Sequence, residues 1–245
     1  MLYRIPPDSP CLRHSREGFT LLELLIAVAI IAVLAAMLFA GLGIARSFSR
    51  SAICVSNLRL LSGGFGAYAA DHDGLFPDYL LGNTYWPQEI AAYVPRKAFF
   101  CPEAVEREGI QETFKTINTD KVWNDWITRV SYGYNARGLS PHYGSGYTPP
   151  SPYRKVTAVT IERLASVIVL ADAGRLNANK TDGWGFYYME MPYLQYSLPL
   201  PRHRGKANVL WADGHVSQRE CILKTTDSKE SEKYFPLREW YYNLP

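Results

Sequence analysis

From Phe19 to Ala45 the chain runs 27 residues with one charge, Glu23. At about 1.5 Å of rise per helical residue, such a run is long enough to cross a hydrocarbon core of roughly 30 Å. A secretory signal peptide has a shorter apolar region, followed by small residues at its cleavage site. Here the candidate cutting point, Gly18, comes before the apolar run, so the hydrophobic helix stays with the mature protein. Arg4, Arg13 and Arg16 precede it. Basic residues on that side keep the end in the cytoplasm and direct the chain beyond about residue 45 outward.

Glu23 is the exception within the run. A carboxylate near the end of an apolar helix is costly, so it either snorkels to the interface or has a partner or a function. If the chain is cut after Gly18, Phe19 acquires a free amine one helical turn from Glu23. That amine then pairs with Glu23 within one helix or with the Glu23 of a packed neighbour.

The stretch Gly18-Phe19-Thr20-Leu21-Leu22-Glu23 resembles the processing signal of type IV pilins and type II secretion pseudopilins, matching at Gly18, Phe19, Thr20, Leu21 and Glu23. The resemblance implies cleavage after Gly18 by a prepilin peptidase of the inner membrane and methylation of Phe19. It also implies Glu23-guided assembly with other pilin or pseudopilin subunits into a helical filament. The expected location is single-pass in the inner (cytoplasmic) membrane, leader inside and head in the periplasm, or on a cell-surface fibre.

The expected division is a leader over 1–18, a membrane and assembly helix over 19–45, its amphipathic continuation over 46–70, and a β-rich head over 71–245. The full chain carries a formal charge of +3; loss of the leader, with its three arginines against Asp8 and Glu17, leaves +2. That is too small to indicate a nucleic-acid partner. Of the four cysteines, Cys11 lies in the leader. An outward head sits where disulfides persist, and the absence of Cys-x-x-Cys disfavours a structural zinc site. The preferred disulfide is Cys54 with Cys101, which ties the helix to the head and leaves Cys221 as an odd thiol.

From Ile44 onward, Ile44, Phe48, Ala52, Val55, Leu58, Leu61, Phe65 and Tyr68 recur at steps of three or four, which is one helical face. One helix is expected from about Thr20 to about Ala70, on the order of 75 Å long. Gly41, Gly43 and Gly63-Gly64-x-Gly66 are its weak points. Asp71-His72-Asp73-Gly74 with Pro77 ends it. An EF-hand starting at Asp71 fails, because its twelfth position is Gly82. A short helix is expected at Gln88–Tyr93, a strand or bend at Phe99–Cys101, and partly helical chain between Glu103 and Thr119. Ser131–Asn135 and Ser166–Asp172 read as strands, the latter central, with a long loop over 135–153. The fold class is thus α+β: a long membrane-spanning helix whose C-terminal half packs on a loop-rich antiparallel sheet, as in pilins.

Asn208–Ala212 and His215–Gln218 are strand-like and separated by Asp213-Gly214, a pair suited to a two-residue type I′ turn with positive torsions at both positions. His203 and Asp213-Gly214 resemble the His-x9-Asp-Gly segment of prepilin-like proteins with large heads. Cys54-x-x-Asn57-Leu58, Tyr68-Ala69-x-Asp71, Cys101-Pro102, Ser131-Tyr132-x-Tyr134-Asn135 and Leu170-Ala171-Asp172 extend that resemblance. His203, Asp213, His215 and Asp172 at one sheet end could hold a divalent metal. The structural reading is preferred, with the His203 ring bonding a backbone group at the hairpin's mouth or Asp213, so no metal or cofactor is expected. No Gly-x-Ser-x-Gly, His-Glu-x-x-His or Walker loop is present, and catalysis ranks last among the functions considered. The alternative to a filament subunit is a membrane-anchored module binding glycans or exported proteins through Tyr143, Tyr147, Tyr153, Trp184, Tyr187 and Tyr188. Those rings equally well fill the head's core.

Overall fold

The computed structural model describes residues 19–107, 109–140, 156–176, 183–189 and 197–221. The chain divides into two compact units, Met1–Ala45 and Arg46–Pro245. Helix α1, Leu21–Asp71, contributes to both. In the first unit its apolar side chains are exposed, Leu21, Met37 and Phe39 among them. Its most apolar 18-residue window has mean hydropathy 2.9. A surface of that kind needs lipid or neighbouring helices around it.

In the second unit α1 turns amphipathic. Cys54, Leu58, Leu61, Phe65 and Tyr68 are buried and share one core with Trp86, Ile90, Tyr132, Tyr134, Leu170 and Leu210. The sequence pattern places the start of this stripe ten residues too early: Ile44 and Phe48 are exposed, and so is Ala52. Spacing alone does not tell which turns of an apolar face meet a partner. Gly64 has a packing reason, since a Cβ there would stand 2.8 Å from Val94 Cγ1 and 3.1 Å from Ile90 Cγ2. A hairpin-like pair, β1 (Leu80–Leu81) and β2 (Thr84–Tyr85), leads into α2 (Trp86–Ile90). That helix starts before the expected Gln88, because Pro87 fits its first turn, where no N–H is needed.

The segment between the disulfide loop and the sheet is more helical than its polar composition suggests: α3 (Pro102–Arg107), α4 (Gln111–Thr116) and α5 (Asp120–Trp126) follow one another. Then come β3 (Tyr132–Tyr134), α6 (Ala136–Leu139), β4 (Ile168–Leu176), β5 (Gly183–Gly185), β6 (Leu198–Pro199), β7 (Lys206–Trp211) and β8 (Val216–Glu220). Strands β3 to β8 make one antiparallel sheet along β3-β4-β7-β8, with β5 and β6 also paired to β4. The architecture is therefore α+β and pilin-like, as the apolar run and the strand pattern indicate.

Strand β4 begins two residues later than expected and runs on to Leu176, because it pairs with β5 and β6 beyond Asp172. A register shift between Ile168 and Leu170 resets its alternation. After it, Leu170 joins the α1-side core, while Ala171 and Ala173 join the opposite cluster with Val209 and Trp211. Period two then puts Asp172 on the face of Leu170, and Asn208 on that of Leu210.

The hairpin between β7 and β8 differs from expectation. Leu210 pairs with Val216, and the Trp211 N–H donates to the His215 carbonyl at 3.0 Å, so the loop is the three residues Ala212-Asp213-Gly214. Only Gly214 has a positive φ, +88°. A three-residue loop with glycine in the left-handed position is the alternative that Asp-Gly also suits. The two-residue turn with both torsions positive occurs instead at Arg204 (φ 55°) and Gly205 (φ 85°). There the backbones of His203 and Lys206 bond each other in both directions, at 2.9 and 3.1 Å.

Candidate functional site

Two places in the chain concentrate chemistry. The first is the start of α1. Thr20 precedes the helix and Glu23 is its third residue. Glu23 N–H donates to Thr20 Oγ1 at 3.2 Å, and Glu23 Oε2 accepts from the Thr20 N–H at 2.9 Å and from its hydroxyl at 2.8 Å. This reciprocal capping box satisfies two of the donors a helix start leaves open. The signal is present in the sequence as Thr-x-x-Glu, and neither a snorkelling Glu23 nor one paired with the Phe19 amine takes account of it. Phe19 is 79% exposed, and Gly18 lies outside the described residues.

The second place is built where α1, the segment after α2, and the sheet meet. Cys54 of α1 and Cys101, just before α3, form a disulfide with Cα atoms 5.2 Å apart. Polar bonds hold both flanks. Asn57 Nδ2 donates to the Phe100 carbonyl at 3.0 Å, and Tyr132 Oη to the Cys54 carbonyl at 3.4 Å. The turn at Arg204-Gly205 delivers His203 to this disulfide. Its Nε2 lies 3.4 Å from Cys101 Sγ and 3.3 Å from Asp172 Oδ2. Asp172 Oδ2 also accepts the Asn208 N–H at 2.7 Å, while Oδ1, fully buried, has no partner. Arg202 anchors the approach, its Nη1 donating to the Ser131 carbonyl at 2.5 Å. Burial drives the Tyr132 hydroxyl pKa well above its usual range, and the charge of Asp172 adds to that.

The four residues considered as one metal set are thus divided in two. His203 and Asp172 meet in the interior. Asp213 and His215 sit at the far end of β7, where Asp213 Oδ1 accepts from the His215 N–H at 3.0 Å and lies 2.6 Å from its Nδ1. Burial pushes the Asp213 carboxyl up, but the bonds from His215 outweigh it and hold the group below its ordinary range. The expectation that the His203 ring bonds the hairpin or Asp213 is corrected: strand β7 separates the two ends of the segment, and the ring turns to Asp172. No local pattern signals that pairing, because its partners, Asp172 and Cys101, come from β4 and from the segment just before α3.

Of the six aromatic candidates, Tyr187 is buried and packs on Tyr79, Tyr85 and Phe186, and Tyr188 is half-buried against Phe186. Both serve the core here. Tyr143, Tyr147 and Tyr153 lie outside the described residues, as does the side chain of Trp184.

Residues 13–39 match the family described as the prokaryotic N-terminal methylation motif. No curated protein and no solved structure matches the chain. The motif, set on a single long apolar helix near the N-terminus, supports a type IV pilin-like protein anchored in a membrane.

Proposed function

We propose that the chain is a structural prepilin subunit, cut between Gly18 and Phe19 by a prepilin peptidase, N-methylated at Phe19, and assembled with other subunits into a type IV pilus-like or type II secretion pseudopilus fibre. The carrying observation is the methylation motif at residues 13–39, which ends inside the exposed apolar half of α1. Glu23 is the assembly residue. Its carboxylate stands in an otherwise uncharged run, where about 2.5–3.5 kcal/mol is the cost of a bilayer-centred charge on translocon scales, so a neighbour's new amine at Phe19 is a fitting partner. The Arg-bearing leader supports a cytoplasmic N-terminus and a periplasmic head.

Intact-mass measurement of the membrane form tests this directly. Loss of residues 1–18 together with one added methyl group is expected. Gly18→Leu blocks the cut, since a branched side chain fills the space a peptidase leaves for glycine. Recovery of a Phe-Thr-Leu-Leu-Glu N-terminus from that variant refutes the assignment of Gly18.

A further inference from the structure

Cys54, Cys101 and His203 are buried together, and their ligand atoms lie within 4.8 Å of one another. We infer that, before the disulfide closes, these three side chains bind one Zn²⁺, and that the disulfide and the metal are alternative states of one site. The inference goes beyond the role of the chain as a filament subunit and does not depend on it.

The donor set is the first argument. Two thiolates and an imidazole nitrogen are the ligands zinc favours, at about 2.3 Å for sulfur and about 2.0–2.1 Å for nitrogen. A tetrahedron with those bonds has a sulfur-to-nitrogen edge of roughly 3.6 Å. Cys101 Sγ and His203 Nε2 are 3.4 Å apart, already near that edge, so His203 need not travel to ligate. The ring is held by the tight turn at Arg204-Gly205, with His203 bonded through its backbone to Lys206.

The second argument is Asp172. It is fully buried, its Oδ2 faces the same histidine nitrogen at 3.3 Å, and its Oδ1 has no partner. A buried carboxylate oxygen without a donor is costly. A dication at the neighbouring histidine nitrogen lowers that cost through its charge, and the carboxylate's charge in turn favours the metal. The histidine side of the site adjoins open space. His203 lines a cleft of about 430 Å³ together with Ser47, Ser51 and Gln218, and with Arg204 and Lys206.

The chemistry balances simply. Zinc binding displaces the two thiol protons from Cys54 and Cys101 and uses the lone pair of neutral His203. A protein disulfide oxidant then takes two electrons from the two thiolates and two protons from solvent. The Cys54–Cys101 bond forms, the oxidant leaves as a dithiol, and Zn²⁺ is released. The head thus has a metal-stapled form available before oxidation, in which the same two segments are tied together. The spacing of these residues hid the site, since Cys101 and His203 are 102 positions apart.

The test uses the full chain in detergent micelles, reduced with a phosphine under anaerobic conditions, with Co²⁺ as the optical probe and Zn²⁺ as competitor. One Co²⁺ per chain is expected, with a thiolate-to-cobalt charge-transfer band and tetrahedral d–d bands that Zn²⁺ abolishes. The oxidised chain gives neither band. Asp172→Asn removes the negative charge beside the ligating nitrogen and lowers affinity at least about 10-fold, a Coulombic loss at short range; His203→Ala lowers it further, and Cys221→Ala leaves it unchanged. No charge-transfer band in the reduced wild-type chain overturns the inference, as does equal affinity in His203→Ala. If the variants fail to fold, alkylation of the reduced wild-type chain decides: Zn²⁺ should protect Cys54 and Cys101, and equal labelling with and without Zn²⁺ refutes the site.

Discussion

Thr20 and Glu23 complete each other's hydrogen bonds at the first turn of α1, the carboxylate accepting from the threonine N–H at 2.9 Å while the hydroxyl accepts from the glutamate N–H at 3.2 Å. One residue therefore carries two duties, a helix cap and a charge in an apolar run, and substitutions separate them. Glutamine can also close a capping box. Glu23→Gln should keep the helix start, insert and be processed normally, yet fail to enter fibres, as should Glu23→Leu. Sheared-fibre yield from cells is the measurement. Wild-type fibre levels from Glu23→Gln would assign the residue to capping alone.

The glycines of α1 differ in what surrounds them. A Cβ at Gly64 meets Val94, whereas at Gly63 and Gly66 it meets nothing within 4 Å. Gly64→Val should lower the stability of the head by about 1–3 kcal/mol through overpacking. Gly63→Ala and Gly66→Ala should raise it by about 0.5–1 kcal/mol each, the usual gain of alanine over glycine in a helix. Thermal melts of the three variants in detergent give the sign of each change.

Gly214 adopts φ +88°, and a Cβ there would approach Ser62 Oγ at 3.1 Å. Gly214→Val should cost about 1–3 kcal/mol from the disfavoured torsion. Gly214→Asn should cost less, because asparagine tolerates the left-handed region. Equal melting points for the two variants would show that the loop readjusts.

The Cys54–Cys101 bridge spans 47 positions. Removing it by the double substitution Cys54→Ser, Cys101→Ser should lower stability by about 2–4 kcal/mol, the usual contribution of a constraint on the unfolded chain. Denaturant midpoints of the oxidised wild type and the double variant measure it, both with chelator present.

Cys221 is the free thiol of the described residues. Burial pushes its pKa up to about 12, with the charge of Asp172 adding to the shift. A thiol attacks as thiolate, so at pH 8 Cys221 stays protonated in the folded chain and should resist iodoacetamide. Because the folded pKa lies above the unfolded one, the thiol contributes stability below the unfolded value and loses it as pH rises towards 12. Labelling should appear in denaturant at pH 8. Rapid labelling of the native protein at that pH would contradict the burial.

The apolar run, the Gly18-to-Glu23 signal and the change to helical spacing after Ala45 are local patterns, and each was readable without a structure. Local patterns are legible because propensity and periodicity act over a few residues. The Asp213-Gly214 turn was legible as a turn but not as a type, since both two- and three-residue loops accept that pair and the strand register decides between them. Nor could spacing reveal that the buried stripe of α1 starts at Cys54, because burial depends on which turns meet the sheet. The gathering of Cys54, Cys101, Asp172 and His203 belongs wholly to the tertiary structure. Those residues come from a helix, a loop, a strand and a tight turn, and only the tertiary packing sets His203 against both the Cys54–Cys101 pair and Asp172.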